Sequence, residues 1–198
     1  MDGAPIEARR IRYWDRAAPA PSPDNTDPDW TRGTLLSLTV DGLIWVEDVV
    51  SLRGSPGEVE SAILATAEAD WARYPGIITG IEQDPGSAGK SEVHSYVKKL
   101  ARFNPRAYRP TGDKVVRFKP FSAQAEQGNV RVVKGAWNAE WFSELEAFPK
   151  KGVHDDQVDS VSGAYNALHE PPSDDKPKAS ATDALQILRK AARMRKRP

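Results

Sequence analysis

The chain has 198 residues, 39% of them hydrophobic, and 28 Lys and Arg side chains balance 28 Asp and Glu. That suffices for one sizeable core with a small appendage and excludes two large domains. Cysteine is absent, which removes disulfides, thiolate metal sites and a thiol nucleophile. No run of 18 apolar residues and no apolar signal core is present, so a soluble chain with no membrane partner is expected. The charge balance conceals a split: residues 171–198 hold eight basic and three acidic side chains, leaving 20 basic and 25 acidic in residues 1–170. A domain over 1–170 is expected, followed over 171–198 by a linker and a basic helix or flexible arm suited to DNA or a protein partner.

In chain order, "RIRYWD" reads as a strand ending in Asp15, and the Pro- and Asp-rich stretch after it reads as a loop. Two further strands meet at Asp41-Gly42, a hairpin signal, which gives a three-stranded antiparallel meander. Ser55 caps a helix with Pro56 in its first turn and Val59, Ile63, Ala67 and Trp71 on one face. A strand from Ile77 to Ile81 then ends at Glu82, followed by a Pro-Gly turn and a helix carrying Val93, Val97 and Leu100. Strand and helix alternate here, which implies a parallel centre in an otherwise mixed α/β sheet. A short strand and loop cover "RAYRPTGDK". A basic strand or loop reaches Pro120, with Lys114, Arg117 and Lys119 partly sharing a face, and a short helix covers Ser122 to Gln127. Gly128 and Asn129 suit a turn before the strand "VRVV". A helix runs from Asn138 to Phe148, with Trp137, Trp141, Phe142 and Phe148 expected in the core. The last helix of the domain lies in "HDDQVDSVSGAYNALH", where Val158, Val161, Ala164, Tyr165 and Leu168 form an apolar stripe.

That helix opens with Asp155, Asp156 and Asp159, close enough along a helix to repel unless something positive lies between them. Acids at a helix start also cap it and complement its dipole. Asp15 and Glu82 stand at strand ends, where open sheets gather functional groups. Strand-end and helix-start carboxylates converging on one point suit Mg²⁺ or Mn²⁺, and a pair of such ions supports phosphodiester hydrolysis without a protein base.

The ordered set "YWD", "GIITGIEQDPGSAGK", "KPFSAQAEQGNVRVVKGAWNAEWFSELEAFP" and "HDDQVDSVSGAY" resembles the nuclease domain of the large terminase subunit of tailed bacteriophages, over roughly residues 10–169. The resemblance implies a ribonuclease H-like fold, with helices flanking a mixed central sheet. It also implies a two-metal, Mg²⁺- or Mn²⁺-dependent endonuclease that cuts concatemeric viral DNA in the host cytoplasm. Matched motif by motif, Asp15 is the first-strand ligand, Glu82 the second, and the Asp155-Asp156 pair the source of the third. Asp156 is preferred, then Asp155, then Asp159, the position often used in related enzymes. The catalytic set is therefore expected to be Asp15, Glu82 and Asp156. The implied partners are double-stranded DNA, the portal, the small terminase and an ATPase domain of the full-length subunit. This chain has no "GxxxxGK[ST]" signature; "GSAGKS" is too short.

Around that centre, Asp84 is either an outer ligand or a turn residue before Pro85, and His154 is either a partner of a ligand carboxylate or a turn residue. Lys90, Lys114, Arg117 and Lys119 are expected to meet DNA phosphates, against the alternative of a solvated basic surface. His94 is expected on the surface. Two other readings are a ribonuclease H-like DNA- or portal-binding module whose acids only cap helices, and a nuclease resembling junction resolvases.

Overall fold

The computed structural model describes residues 3–17 and 20–169. The expected linker and basic tail lie outside the described residues. Six strands form one sheet: β1 (Arg9–Asp15), β2 (Thr31–Leu38), β3 (Ile44–Leu52), β4 (Ile78–Glu82), β5 (Pro105–Tyr108) and β6 (Val130–Val132), in the order β5-β4-β1-β2-β3-β6. β1, β2 and β3 are the antiparallel meander, whereas β4 runs parallel to β1, β5 to β4, and β6 to β3. The turn between β2 and β3 has Gly42 at φ +85°, a conformation that glycine adopts without strain.

Side chains alternate across β1. Ile11 and Tyr13 pack on the face covered by α3 (Lys114–Glu126), α4 (Asn138–Ala147) and α5 (Asp156–His169), with Phe121, Trp141, Val161, Ala164 and Leu168. Trp14 faces the other way, into a core with Val59 and Ile63 of α1 (Pro56–Arg73) and Val93 and Tyr96 of α2 (Ser87–Lys99). The period of two therefore sends Asp15 toward α5. Ile81 belongs to the α1/α2 core and Ile78 packs on the opposite one, so Glu82 also faces α5.

α1 begins as the sequence suggests, with Ser55 and Glu58 forming a reciprocal capping box and Pro56 in the first turn. The basic segment to Pro120 is a correction. It is not a strand or loop but the first half of α3, which begins with the Asp113 side chain accepting from the Val115 N–H and contains Pro120. The helical spacing of Phe118 and Phe121, which pack on the core, prevails over the apparent alternation of charges. Lys114 and Arg117 then share a face at three residues' separation, and exposed Lys119 turns away. Phe142 is a second correction: it is 43% exposed, touching Trp141 edge-on, because it lies on the outer side of α4. His94 is exposed, as expected. Among the described residues no helix is long and apolar enough to cross a membrane.

Candidate active site

Parallel pairing of β1 with β4 sets Trp14 opposite Ile81, so Asp15 and Glu82 end neighbouring strands. α5 lies against β1 because Gly163 has no side chain: a Cβ there would be 2.2 Å from the Tyr13 ring. That close approach brings Asp159, one turn earlier in α5, to the strand ends. The Tyr13 hydroxyl donates to Glu82 Oε2 at 2.9 Å, fixing the second carboxylate.

The carboxylates are set against one another. Withdrawal from water, then the charges of Glu82, Asp159 and Asp156, push Asp15 well above the usual carboxyl range, with Lys114 opposing. Glu82 is also raised, first by burial, then by Asp159 and Asp84 against the Tyr13 hydrogen bond and Arg117. Two cations reach in from α3. Lys114 Nζ lies 2.8 Å from Asp155 Oδ1 and 2.7 Å from Asp159 Oδ2, and Arg117 lies 2.6 Å from Asp159 Oδ1. Burial acts to lower the Lys114 pKa, but hydrogen bonds to Asp155 and Asp159 prevail and hold it above its ordinary value. The acids open into a cleft of about 410 Å³ whose walls include Asp15, Asp84, Asp155, Asp156, Asp159 and Lys114.

Asp156 has partners of its own. Its Oδ2 accepts from the Trp30 N–H at 3.0 Å and lies 3.4 Å from His154 Nδ1. Ligand atoms of Asp29, His154 and Asp156 lie within 4.8 Å of one another, and this is the one such group of three or more His, Asp or Glu among the described residues. His154 also meets Asp27 Oδ2 at 2.9 Å, a contact that raises its pKa. Burial raises Asp156, with the Trp30 hydrogen bond opposing. The Trp30 ring lies between the guanidinium groups of Arg32 and Arg53, 4.5 and 4.2 Å from its centroid.

The start of α5 is held from outside the helix. Its first backbone bond runs from the Asp159 N–H to the Asp155 carbonyl, while the Gln157 N–H donates to Glu144 Oε1 of α4. Buried Arg32 of β2 lies 2.6 Å from Glu140 and 3.5 Å from Glu144. Glu144 thus caps a foreign helix, leaving Asp155, Asp156 and Asp159 turned to cations, to the Trp30 backbone and to one another.

Asp15, Glu82, Asp155, Asp156 and Asp159 therefore gather at one end of the sheet, with Lys114 and Arg117 between them and His154 beside Asp156. Asp84 is exposed in the cleft wall. Lys90 and Lys119 are exposed. Asp29, Tyr13, Glu144 and Arg32 escape sequence reading. Only "DPDW", an acid beside an aromatic in a long loop, hints at Asp29. A hard divalent cation fits this donor set, because carboxylate oxygens predominate and the raised acids lack full neutralisation.

A family described as "Terminase RNaseH-like domain" matches residues 12–168. No curated protein sequence matches the chain. Solved structures with a similar shape include the yeast mitochondrial Holliday junction resolvase Ydc2, at 9% identity and a TM-score of 0.43, covering 79% of this chain and 76% of that one. RuvC of Thermus thermophilus in complex with Holliday junction substrate is similar at 10% identity and a TM-score of 0.41, covering 81% of this chain and 96% of that one. A second Thermus thermophilus RuvC structure gives 12%, 0.42, 80% and 96% for the same quantities. With its mixed sheet, flanking helices and acids at neighbouring strand ends, the chain has a ribonuclease H-like nuclease fold and belongs to the terminase RNaseH-like domain family.

Proposed function

We propose that this domain is a divalent-metal-dependent DNA endonuclease that cuts concatemeric phage DNA during genome packaging in the host cytoplasm. The observation that carries this reading is the placing of Asp15, Glu82 and Asp159 at one end of the sheet, beside the Asp29, His154 and Asp156 group, with the carboxyls of Asp15 and Glu82 raised by burial and neighbouring acids. A structural role alone gives no reason to hold like charges together at the mouth of a cleft. Asp15, Glu82 and Asp159 are the principal ligands in this reading, with Asp155 and Asp156 completing coordination. Support for ranking Asp159 ahead of the other two is that its charge raises both Asp15 and Glu82, whereas that of Asp156 raises Asp15. Asp84, in the wall of the cleft, is an outer partner.

Two Mg²⁺ or Mn²⁺ ions, when bound, supply an activated water and charge stabilisation at the scissile phosphate. The chain's own residues do the rest. Tyr13 orients Glu82, Glu144 and Gly163 fix the height of α5 against β1, and Arg117 holds positive charge where a phosphate arrives. Lys90 and Lys119, exposed outside the cleft, extend the phosphate contacts along the duplex. Binding by such contacts is salt-dependent and tolerant of sequence. In the full assembly the domain acts with an ATPase domain, a portal and a small terminase.

The test is cleavage of supercoiled plasmid in Mg²⁺ or Mn²⁺ by wild type and Asp15→Asn, alongside Mn²⁺-soaked crystals. Metal-dependent nicking lost in the variant, with density touching Asp15 and Glu82, supports the reading. Equal cutting by both proteins rejects it. DNA binding without cleavage by wild type points to a binding module, and cutting of four-way junctions in preference to linear duplex points to a junction-resolving enzyme.

A further inference from the structure

We propose that Lys114 is the resident counter-ion of the acidic centre, displaced by an incoming divalent cation, so that metal loading and presentation of this lysine to DNA phosphate are a single exchange. The inference rests on the metal-dependent reading and adds a residue that controls it. Lys114 Nζ bridges Asp155 Oδ1 and Asp159 Oδ2, at 2.8 and 2.7 Å. Both carboxylate oxygens of Asp159 are in ion pairs while this holds, because Arg117 lies 2.6 Å from its Oδ1. A Mg²⁺-sized ion needs direct contact at about 2.0–2.1 Å with such oxygens, so it meets an ammonium on its approach.

The two cations differ in how firmly they are held. The Arg117 side chain is 18% exposed and is also tied through NH1 to the Gly112 carbonyl at 3.1 Å. The Lys114 side chain is 47% exposed, its ammonium meets Asp155 and Asp159 of the acidic centre, and it hangs on a flexible four-carbon stem. Lys114 is therefore the group that yields. Its position in the wall of the cleft keeps the released ammonium beside an incoming phosphodiester.

Mn²⁺ binding to the full chain without DNA, followed by calorimetry, tests the exchange. Lys114→Met, which keeps the stem and removes the charge, is expected to bind Mn²⁺ at least about 10-fold more tightly than wild type, a change of about 1.4 kcal/mol. Lys134→Met, on an exposed lysine after β6, removes the same charge and is expected to bind as wild type does. Amine labelling of wild type, read by mass spectrometry, is expected to modify Lys114 faster when Mn²⁺ is present. Should Lys114→Met fold poorly, that labelling decides the matter with the native chain. Mn²⁺ affinity in Lys114→Met equal to or below that of wild type, or Lys114 labelling unchanged by Mn²⁺, overturns the exchange and leaves the nuclease reading standing. Absence of Mn²⁺ binding in both wild type and Lys114→Met overturns both.

Discussion

The two ends of β1 carry charge in opposite ways. Toward its amino end, Arg10 and Arg12 are buried and closely matched. Arg10 Nε lies 2.8 Å from Glu47, and its terminal nitrogens donate to the carbonyls of Ala4, Pro5, Ile6 and Ala8. Arg12 pairs with Asp70 and Asp48, each at 2.8 Å, and also donates to the Gly33 carbonyl. A bulge opposite Leu35 and Leu36 lets consecutive Glu47 and Asp48 reach these two arginines. At the carboxyl end, Asp15 meets Glu82, Asp159 and Asp156, and the cations supplied by α3 leave its carboxyl raised. Buried charge alone therefore does not mark a site; an unbalanced sign beside an open cleft does.

The largest test of this contrast is Asp15→Asn. Metal-dependent cleavage is expected to fall on the order of 10³-fold, about 4 kcal/mol of transition-state stabilisation, measured as plasmid nicking. In EDTA the same change is expected to stabilise the fold. Asp15 and Glu82 keep their protons to higher pH in the folded chain than in the unfolded one, so the folded chain binds more protons between the ordinary carboxyl range and the raised values. Stability then falls as pH rises through that window. The advantage of Asp15→Asn over wild type is thus expected to grow from about pH 4 upward, and denaturation in EDTA at a series of pH values measures it.

Arg12→Ala attacks the matched network. It strands Asp70, with its side chain 11% exposed, and is expected to cost about 3–5 kcal/mol of unfolding free energy in urea, with cleavage per folded molecule close to wild type.

Much of this was legible in the sequence because the signals were local. Strand periodicity placed Asp15 and Glu82 at strand ends, and the stripe from Val158 to Leu168 placed α5. The α3 segment misled because Lys114, Val115, Val116, Arg117, Phe118 and Lys119 imitate an alternating strand, and Pro120 argues for a break. The core contacts of Phe118 and Phe121, known only in three dimensions, decide for helix. Glu144 and Arg32 were invisible for the same reason. Each acts across more than ten residues of sequence, Arg32 reaching Glu144 112 positions away.

Glu144→Ala tests whether the acidic end depends on support from a distance. The substitution leaves the Gln157 N–H without its acceptor and Arg32 with Glu140 alone. The expected loss is about 1–3 kcal/mol in chemical denaturation. Mn²⁺ affinity is expected to fall about 10-fold as the first turn of α5 loosens. Glu144→Gln keeps an acceptor for Gln157 while losing the charge facing Arg32, and is expected to fall between wild type and Ala. Equal metal affinity in all three would show that the first turn of α5 holds its position unaided.

The smallest effect is expected at the turn beyond the amino end of β1. Leu38 pairs with Arg9 while Asp15 pairs with Arg32, so the β2–β3 turn and the acidic centre lie at opposite ends of the sheet. A Cβ at Gly42 meets nothing within 4 Å, so Gly42→Ala changes only the backbone energy at φ +85°. The expected cost is about 1 kcal/mol, less for Gly42→Asn because Asn tolerates the left-handed region. Cleavage per folded molecule is expected to be unchanged in both. A loss of cleavage larger than the loss of folded protein would mean that the sheet transmits strain along β1, and that its two ends are mechanically coupled despite their separate charge networks.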